Sequence, residues 1–229
     1  MTAEAGDRQS SALSFGRLTE ADIRAALNKP MSPLFDLPED HSQHVSPRQA
    51  AVLVPFVRQN DHWALVFIRR ALSRRDRHSG QVAFAGGMWE THDASLDMTA
   101  LREAREEIGL NPEDVRLLGE LPLHRSIAGV AIKPVVATMP WPYPLQPELA
   151  EVARIFTIPL DWLATAENYE IVDIMSVQSQ QAGKSVSYRE FDGERLWGAT
   201  ARITLTLVSR LSSYCGQPLV LCNASLSDN

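Results

Sequence analysis

The chain has two cysteines in 229 residues, Cys215 and Cys222. They are too few for a disulfide framework and too far apart for a CxxC metal or redox motif, so both read as reduced thiols in a cytoplasmic protein. Lysine is scarce as well: of 22 basic residues, Lys29, Lys133 and Lys184 alone are lysines. A net charge of −6 argues against a protein that coats nucleic acid or a membrane surface. No uninterrupted apolar run approaches the roughly 20 residues of a membrane span. The opening MTAEAGDRQSS lacks the basic-then-apolar form of a secretory signal. There is no internal repeat and no low-complexity block.

What is present is ordinary globular composition, 45% hydrophobic and 22% charged, in a length that suits one sizeable domain. Residues 1–17 are polar and small and read as a loose tail. Thr19 followed by Asp22, ahead of Ile23 and Leu27, predicts a short capped helix. From Met31 to Ser46 prolines, aspartates and histidines mark an irregular lead-in. The apolar runs Ala51–Val57 and Trp63–Ile68, split by Gln59–Asp61, predict a hairpin, and Gln81–Phe84 a third short strand that ends at Gly86 and Gly87.

From Asp97 to Ile108, Met98, Leu101, Ala104 and Ile108 fall within one helical arc, with Gly109 placed to end the helix and Pro112 to prevent its continuation. Val115–Leu121 and Pro134–Met139 read as strands, Pro140–Pro147 as a constrained loop and Val152–Leu160 as renewed apolar periodicity. Residues 163–195 have no clear period and read as strands and loops. Ala199–Leu211 reads as a closing helix, and 215–229 as a short strand or tail. The whole is an α/β chain with a central and a terminal helix.

The central helix carries the chemistry. With Leu101 at the zero of angle, Glu103, Glu106 and Glu107 fall at about 200°, 140° and 240°, opposite the apolar arc. Like charges at i,i+4, such as Glu103 and Glu107, repel by a few tenths of a kcal/mol, which a hard dication between them would relieve. Arg102 stands four residues before Glu106, where it can pair with it. Taken alone, the same pattern also describes a solvated helix face. Gly86 and Gly87 shift the balance, because they let the backbone approach the carboxylates closely and offer a carbonyl or amide there. Glu90 and Asp93 in the connecting loop are further acidic candidates.

Gly86-Gly87 followed by Arg102-Glu103-Ala104-Arg105-Glu106-Glu107-Ile108-Gly109-Leu110 resembles the Nudix box, written G-x5-E-x7-R-E-U-x-E-E-x-G-U with U apolar. The second half matches at every fixed position. In the first half, the Gly87 to Arg102 spacing is one residue longer than usual, and Asp93 takes the place of the first glutamate. This longer form is similar to the coenzyme A pyrophosphatase branch of the family, in which GGxxDxxD runs into TALREAxEEIGL; residues 99–110 read TALREAREEIGL.

Other segments resemble the same branch: 78–87 (HSGQVAFAGG) its HxGQxAFPGG signature, 126–136 its SGxxVxPVV segment, 151–160 its EVxxxFxxPL segment and 196–200 its WGAT closure. Ala85 departs from the signature's proline, and Asp76 from its arginine, with Arg75 and Arg77 on either side.

The resemblance implies a Nudix-type α/β/α sandwich with a mixed sheet and a central catalytic helix. It assigns a tail, short helix and lead-in to 1–46, the hydrolase domain to 47–213 and a C-terminal tail to 214–229. It implies hydrolysis of coenzyme A or a derivative to 3′,5′-ADP and 4′-phosphopantetheine, with Mg²⁺ or Mn²⁺. Two rivals are a broader nucleoside-diphosphate hydrolase acting on ADP-ribose or NADH, and a regulatory module that binds a nucleotide without turnover.

By the same analogy Glu103 and Glu107 are metal ligands, Glu106 shares or bridges them, Arg102 orients the set, and a Gly86 or Gly87 carbonyl completes the shell. Glu106, Glu103 and Glu151 are all candidates for the general base. Arg75, Arg77 and His78 are candidate substrate contacts, with His78 equally a turn residue. The implied partner is a small nucleotide, with neither nucleic acid nor membrane; the oligomeric state, a homodimer included, stays open. The tryptophans read as core and loop anchors, with Trp89 beside the site, and His92 and His124 as solvent-facing.

Overall fold

The computed structural model describes residues 15–30, 32, 34, 48–73, 79–126, 129–175, 182–217 and 219. Helix α1, Glu20–Asn28, begins with a complete capping box: Thr19 accepts from the Asp22 N–H, and the Asp22 carboxylate accepts from the Thr19 N–H. Ahead of it Phe15 is fully buried and its N–H donates to Asp161, so the loose tail expected over 1–17 is already core at this position.

Strands β1 (Arg48–Gln59), β2 (His62–Arg70), β3 (Val82–Ala83), β4 (Gly86–Met88), β5 (Arg116–Glu120), β6 (His124–Arg125), β7 (Val130–Thr138) and β8 (Val152–Pro159) form one eight-stranded mixed sheet. β1 and β7 run parallel and the other pairings are antiparallel. The glycine pair is therefore not a strand end, as the sequence suggested, but part of strand β4 paired to β1.

β1 changes partner along its length. Its first half pairs with β4 and its last residues with β2, which leaves Pro55 between them. The Leu53 N–H donates to Ala85 on that edge, so the N–H that Pro55 lacks would have pointed into the gap between β4 and β2. The hairpin's divergence is thus also where a proline fits a central strand.

Side-chain alternation divides the core into two layers. Ala51, Leu53 and Val57 of β1, with Ala64, Val66 and Ile68 of β2, pack beneath helix α2, Leu96–Ile108. Val54 and Phe56, with Leu65 and Phe67, face the opposite layer of α1, α3 (Leu160–Ala164) and α4 (Gly198–Tyr214). The result is an α/β/α sandwich.

Residues 163–195, which lacked a period, supply most of a second sheet: β9 (Tyr169–Met175), β10 (Ala182–Phe191) and β11 (Glu194–Trp197), in the order β11-β10-β9. Buried Glu194 ties this sheet to the first by accepting from Arg69 of β2 at 3.1 Å and Arg154 of β8 at 3.0 Å. The strands pair as successive hairpins, Met175 opposite Ala182 and Phe191 opposite Glu194, but the layer that covers their faces comes from distant segments, which local periodicity does not reveal.

Candidate active site

Helix α2 is fixed at both ends. Ser95 caps its start by accepting from the Met98 N–H, and Gly109 ends it in the left-handed conformation at φ 68°, which a side chain would strain. Between them lies the acidic face, whose members differ sharply in environment. Glu107 is 2% exposed, Glu103 15% and Glu106 59% by side chain. The expected position of Glu107, opposite the buried arc, is thus corrected. Strand β4 and the end of β2 cover it, while Met98, assigned to the apolar arc, is half exposed.

The glycine pair explains that cover. The Gly86 N–H donates to Glu107 Oε2 at 2.9 Å, and a Cβ on Gly87 would run into the Glu103 carboxylate. Arg70 lies 3.6 Å from Glu107. Its parity with Ala64, Val66 and Ile68 on β2 is the sequence signal that places it on this face.

Burial raises the Glu107 carboxyl to about 7, against the lowering effects of the Gly86 N–H and Arg70; the charges of Glu103 and Glu151 add to the rise. Glu103 is raised for the same leading reason, partly offset by Arg102, with Glu106 and Glu151 adding to the rise. Exposed Glu151, just before β8, therefore comes close enough for its charge to act on both.

Arg102 organises the other end of this face. Its Nε and Nη2 grip Asp93 Oδ1 and Oδ2 at 2.9 and 3.0 Å, while Nη1 donates to Glu103 at 2.9 Å and Glu106 at 3.2 Å. Nη2 also donates to the Met88 carbonyl, joining β4 to the helix. Asp93 further accepts from the Thr99 hydroxyl and the Glu90 N–H, and the bidentate grip of Arg102 holds its carboxyl far below the usual range. Asp93 is thus a structural counter-ion of Arg102, and not a spare carboxylate. Glu90 lies 3.9 Å from Arg102.

The tryptophan expectation holds for buried Trp63. Trp89 and Trp197 are 41% and 50% exposed, although the Trp89 indole still anchors the loop by donating to the Asp93 carbonyl. His92 is exposed, whereas His124 is buried, contrary to expectation. Arg75, Arg77 and His78 lie outside the described residues.

The carboxylates of Glu103 and Glu107 suit a hard dication. Both are desolvated, and their mutual repulsion, with the charge of Glu151 beside them, is what a bound cation would relieve. Among the described residues these side chains do not form a closed cluster of three ligands. Fold and site together define an α/β/α protein with a desolvated carboxylate face suited to a metal ion.

The comparisons give its family. The NUDIX domain profile matches residues 47–173, more than half of the chain. A relative named uncharacterized Nudix hydrolase NudL, from Pectobacterium atrosepticum, is 38% identical over 165 residues, covering 72% of this chain and 83% of its own. The chain belongs to the Nudix family, whose enzymes generally need a divalent metal ion, and is a hydrolase acting on pyrophosphate bonds.

Among solved structures, a MutT/nudix family protein from Enterococcus faecalis aligns with 79% of this chain and 70% of its own at 13% identity and a TM-score of 0.45. The NUDIX domain of Shewanella oneidensis NrtR complexed with ADP ribose aligns with 62% and 84% at 21% identity and a TM-score of 0.40.

Proposed function

We propose that the protein is a metal-dependent pyrophosphatase, with its hydrolase domain over 47–213, that cleaves coenzyme A or a derivative to 3′,5′-ADP and 4′-phosphopantetheine or its acyl form. The supporting observation is the run of segments outside the box, at 78–87, 126–136, 151–160 and 196–200, that resemble the coenzyme A pyrophosphatase branch. The intact carboxylate set supports turnover over a purely regulatory module, which has no need of it. The absence of a helix long and apolar enough to cross a membrane among the described residues is compatible with the proposed cytoplasmic location.

In this reading Glu103 and Glu107 hold Mg²⁺ or Mn²⁺, Glu106 shares the ligation, and a Gly86 or Gly87 carbonyl completes the shell. When bound, the ion neutralises phosphate oxygens and acidifies water. Arg102 keeps Glu103 and Glu106 in register. Of the candidate bases, Glu151 is best suited: Glu103 and Glu106 both accept from Arg102, whereas Glu151 is exposed and, among the described residues, no hydrogen bond engages its carboxylate. Arg75 and Arg77 supply positive charge to the substrate's phosphates, and His78 is a further contact to them.

A metal-dependent turnover panel of coenzyme A, acyl-coenzyme A, NADH, ADP-ribose and 8-oxo-dGTP tests the reading. Preference for the coenzyme A compounds is expected. Preference for ADP-ribose or NADH would make the protein a broader nucleoside-diphosphate hydrolase, and the absence of turnover with metal present would make it a binding module.

A further inference from the structure

Strand β8 slips by one residue against β2 directly beside the site. Arg69 pairs with Arg154, but Arg70 pairs with Val152, so Ala153 is the extra residue of a β-bulge. Phe156 and Ile158 face the layer of α4, and regular alternation would send Arg154 and Val152 to the same face. The slip turns Val152 to the α2 layer instead, where it is fully buried.

The chain entering the bulge is tied to the end of α2. The Glu148 N–H donates to the Glu107 carbonyl at 2.9 Å, and the Glu148 carbonyl accepts from the Glu151 and Val152 N–H groups at 2.9 and 2.7 Å. From the other side the Ala71 N–H, one residue past Arg70, donates to the Glu151 carbonyl at 2.7 Å. Glu151 thus occupies the turn that leads into the bulge, and its place relative to Glu107 depends on where the ladder slips.

A buried carboxylate holds that point from the opposite face. Arg69 and Arg154 are cross-strand partners, and like charges directly opposite one another destabilise an antiparallel pair. Glu194, 3% exposed, accepts from Nη1 of both on a single oxygen, Oε1, at 3.1 and 3.0 Å. Arg154 is fastened further by donating to the Asp192 carbonyl at 2.9 Å and to the Asp192 carboxylate.

We propose that Glu194 is a positioning residue of the active site: by gathering Arg69 and Arg154 it fixes the bulge in β8 and so holds Glu151 at the end of α2. Without its charge the two guanidiniums repel across the last regular pair before the slip, and the pairing that carries Glu151 loosens. The catalytic consequence rests on the reading of Glu151 as the base, whereas the placement does not.

The test is amide hydrogen exchange by NMR on the full chain, in Glu194→Gln and in Arg154→Gln, which leaves Glu194 paired with Arg69 should the first variant fail to fold. The reporter is the Ala71 N–H, whose acceptor is the Glu151 carbonyl. Its exchange should quicken about tenfold or more in either variant, with partial recovery in Arg154→Lys, while the amides of the β1 and β7 pairing keep their wild-type rates. Unchanged protection at Ala71 overturns the proposal. So does an equal acceleration across β1 and β7, which would make Glu194 a contributor to general stability alone.

Turnover reads the catalytic consequence. With the panel compound cleaved fastest, at saturating Mg²⁺, Glu194→Gln should lower kcat about tenfold and change KM by less than about twofold. In a Glu151→Gln background the same change should add little, because both act through one group. A full further loss of about tenfold there overturns the positioning role. If Glu151→Gln by itself keeps the wild-type rate, the reading of Glu151 as the base fails, and exchange at Ala71 still decides whether Glu194 holds it in place.

Discussion

Two buried carboxylates, one in the loop before α2 and one near the end of that helix, have opposite fates. Asp93, in the loop, meets a bidentate guanidinium, a hydroxyl and an amide, and stays ionised far below its usual range. Glu107, near the end, is buried against a glycine backbone with Arg70 at 3.6 Å and two acidic neighbours, and rises to about 7. Burial is common to both. The difference lies in whether the structure supplies compensating charge, and the region where it is left incomplete is the region suited to a metal ion.

The largest effect should come from Glu107→Gln, which keeps volume and removes charge. Turnover should fall by several factors of ten, each about 1.4 kcal/mol of barrier, while the metal-free protein remains folded. A variant retaining more than about a tenth of the wild-type rate at saturating Mg²⁺ would show that this end of the helix is not the metal end.

At the other end the expected loss is of stability. Asp93→Asn leaves the Arg102 guanidinium partly unpaired in a mostly buried position, and should cost about 3 kcal/mol in urea unfolding. A loss under about 1 kcal/mol would mean that the pair behaves like a surface ion pair.

The same contrast fixes two pH windows. Glu107's folded pKa, about 7, exceeds the ordinary glutamate value of 4.5, so its contribution is fully present below the unfolded pKa and is lost as pH rises through the folded one. Metal-free protein should therefore lose on the order of 1–3 kcal/mol between pH 4.5 and 7.5, and Glu107→Gln should flatten that slope. Asp93 works in reverse: its depressed pKa gives stability present above the ordinary aspartate value of 3.8 and lost as pH falls towards the folded pKa. Asp93→Asn should flatten the acid limb alone.

Smaller still is Glu106→Gln. Its carboxylate is 59% exposed and shares Arg102 with Asp93 and Glu103, so thermal stability should change by less than about 1 kcal/mol. The smallest effect is that of reductant. Cys215 is a free thiol, and melting temperature should be the same with and without it; a large drop would reveal a stabilising disulfide.

The sequence by itself determined the helix, its acidic pattern and its C-terminal end. Gly109 and the spacing of Leu101, Ala104 and Ile108 act within a few residues of one another, and such local signals survive without tertiary context. It also determined that glycine backbone would come near carboxylates at Gly86 and Gly87.

Tertiary structure alone decided which carboxylate would be buried. The angle of Glu107 on a helical wheel says nothing of β4 laid across it, of Arg70 arriving from β2, or of Asp93 claiming Arg102. It also decided that isolated His124 would be buried, and that aperiodic 163–195 would supply a second sheet. The physical reason is common to these cases. Periodicity reports how a segment divides its own faces, whereas desolvation and charge pairing depend on what distant segments bring to those faces.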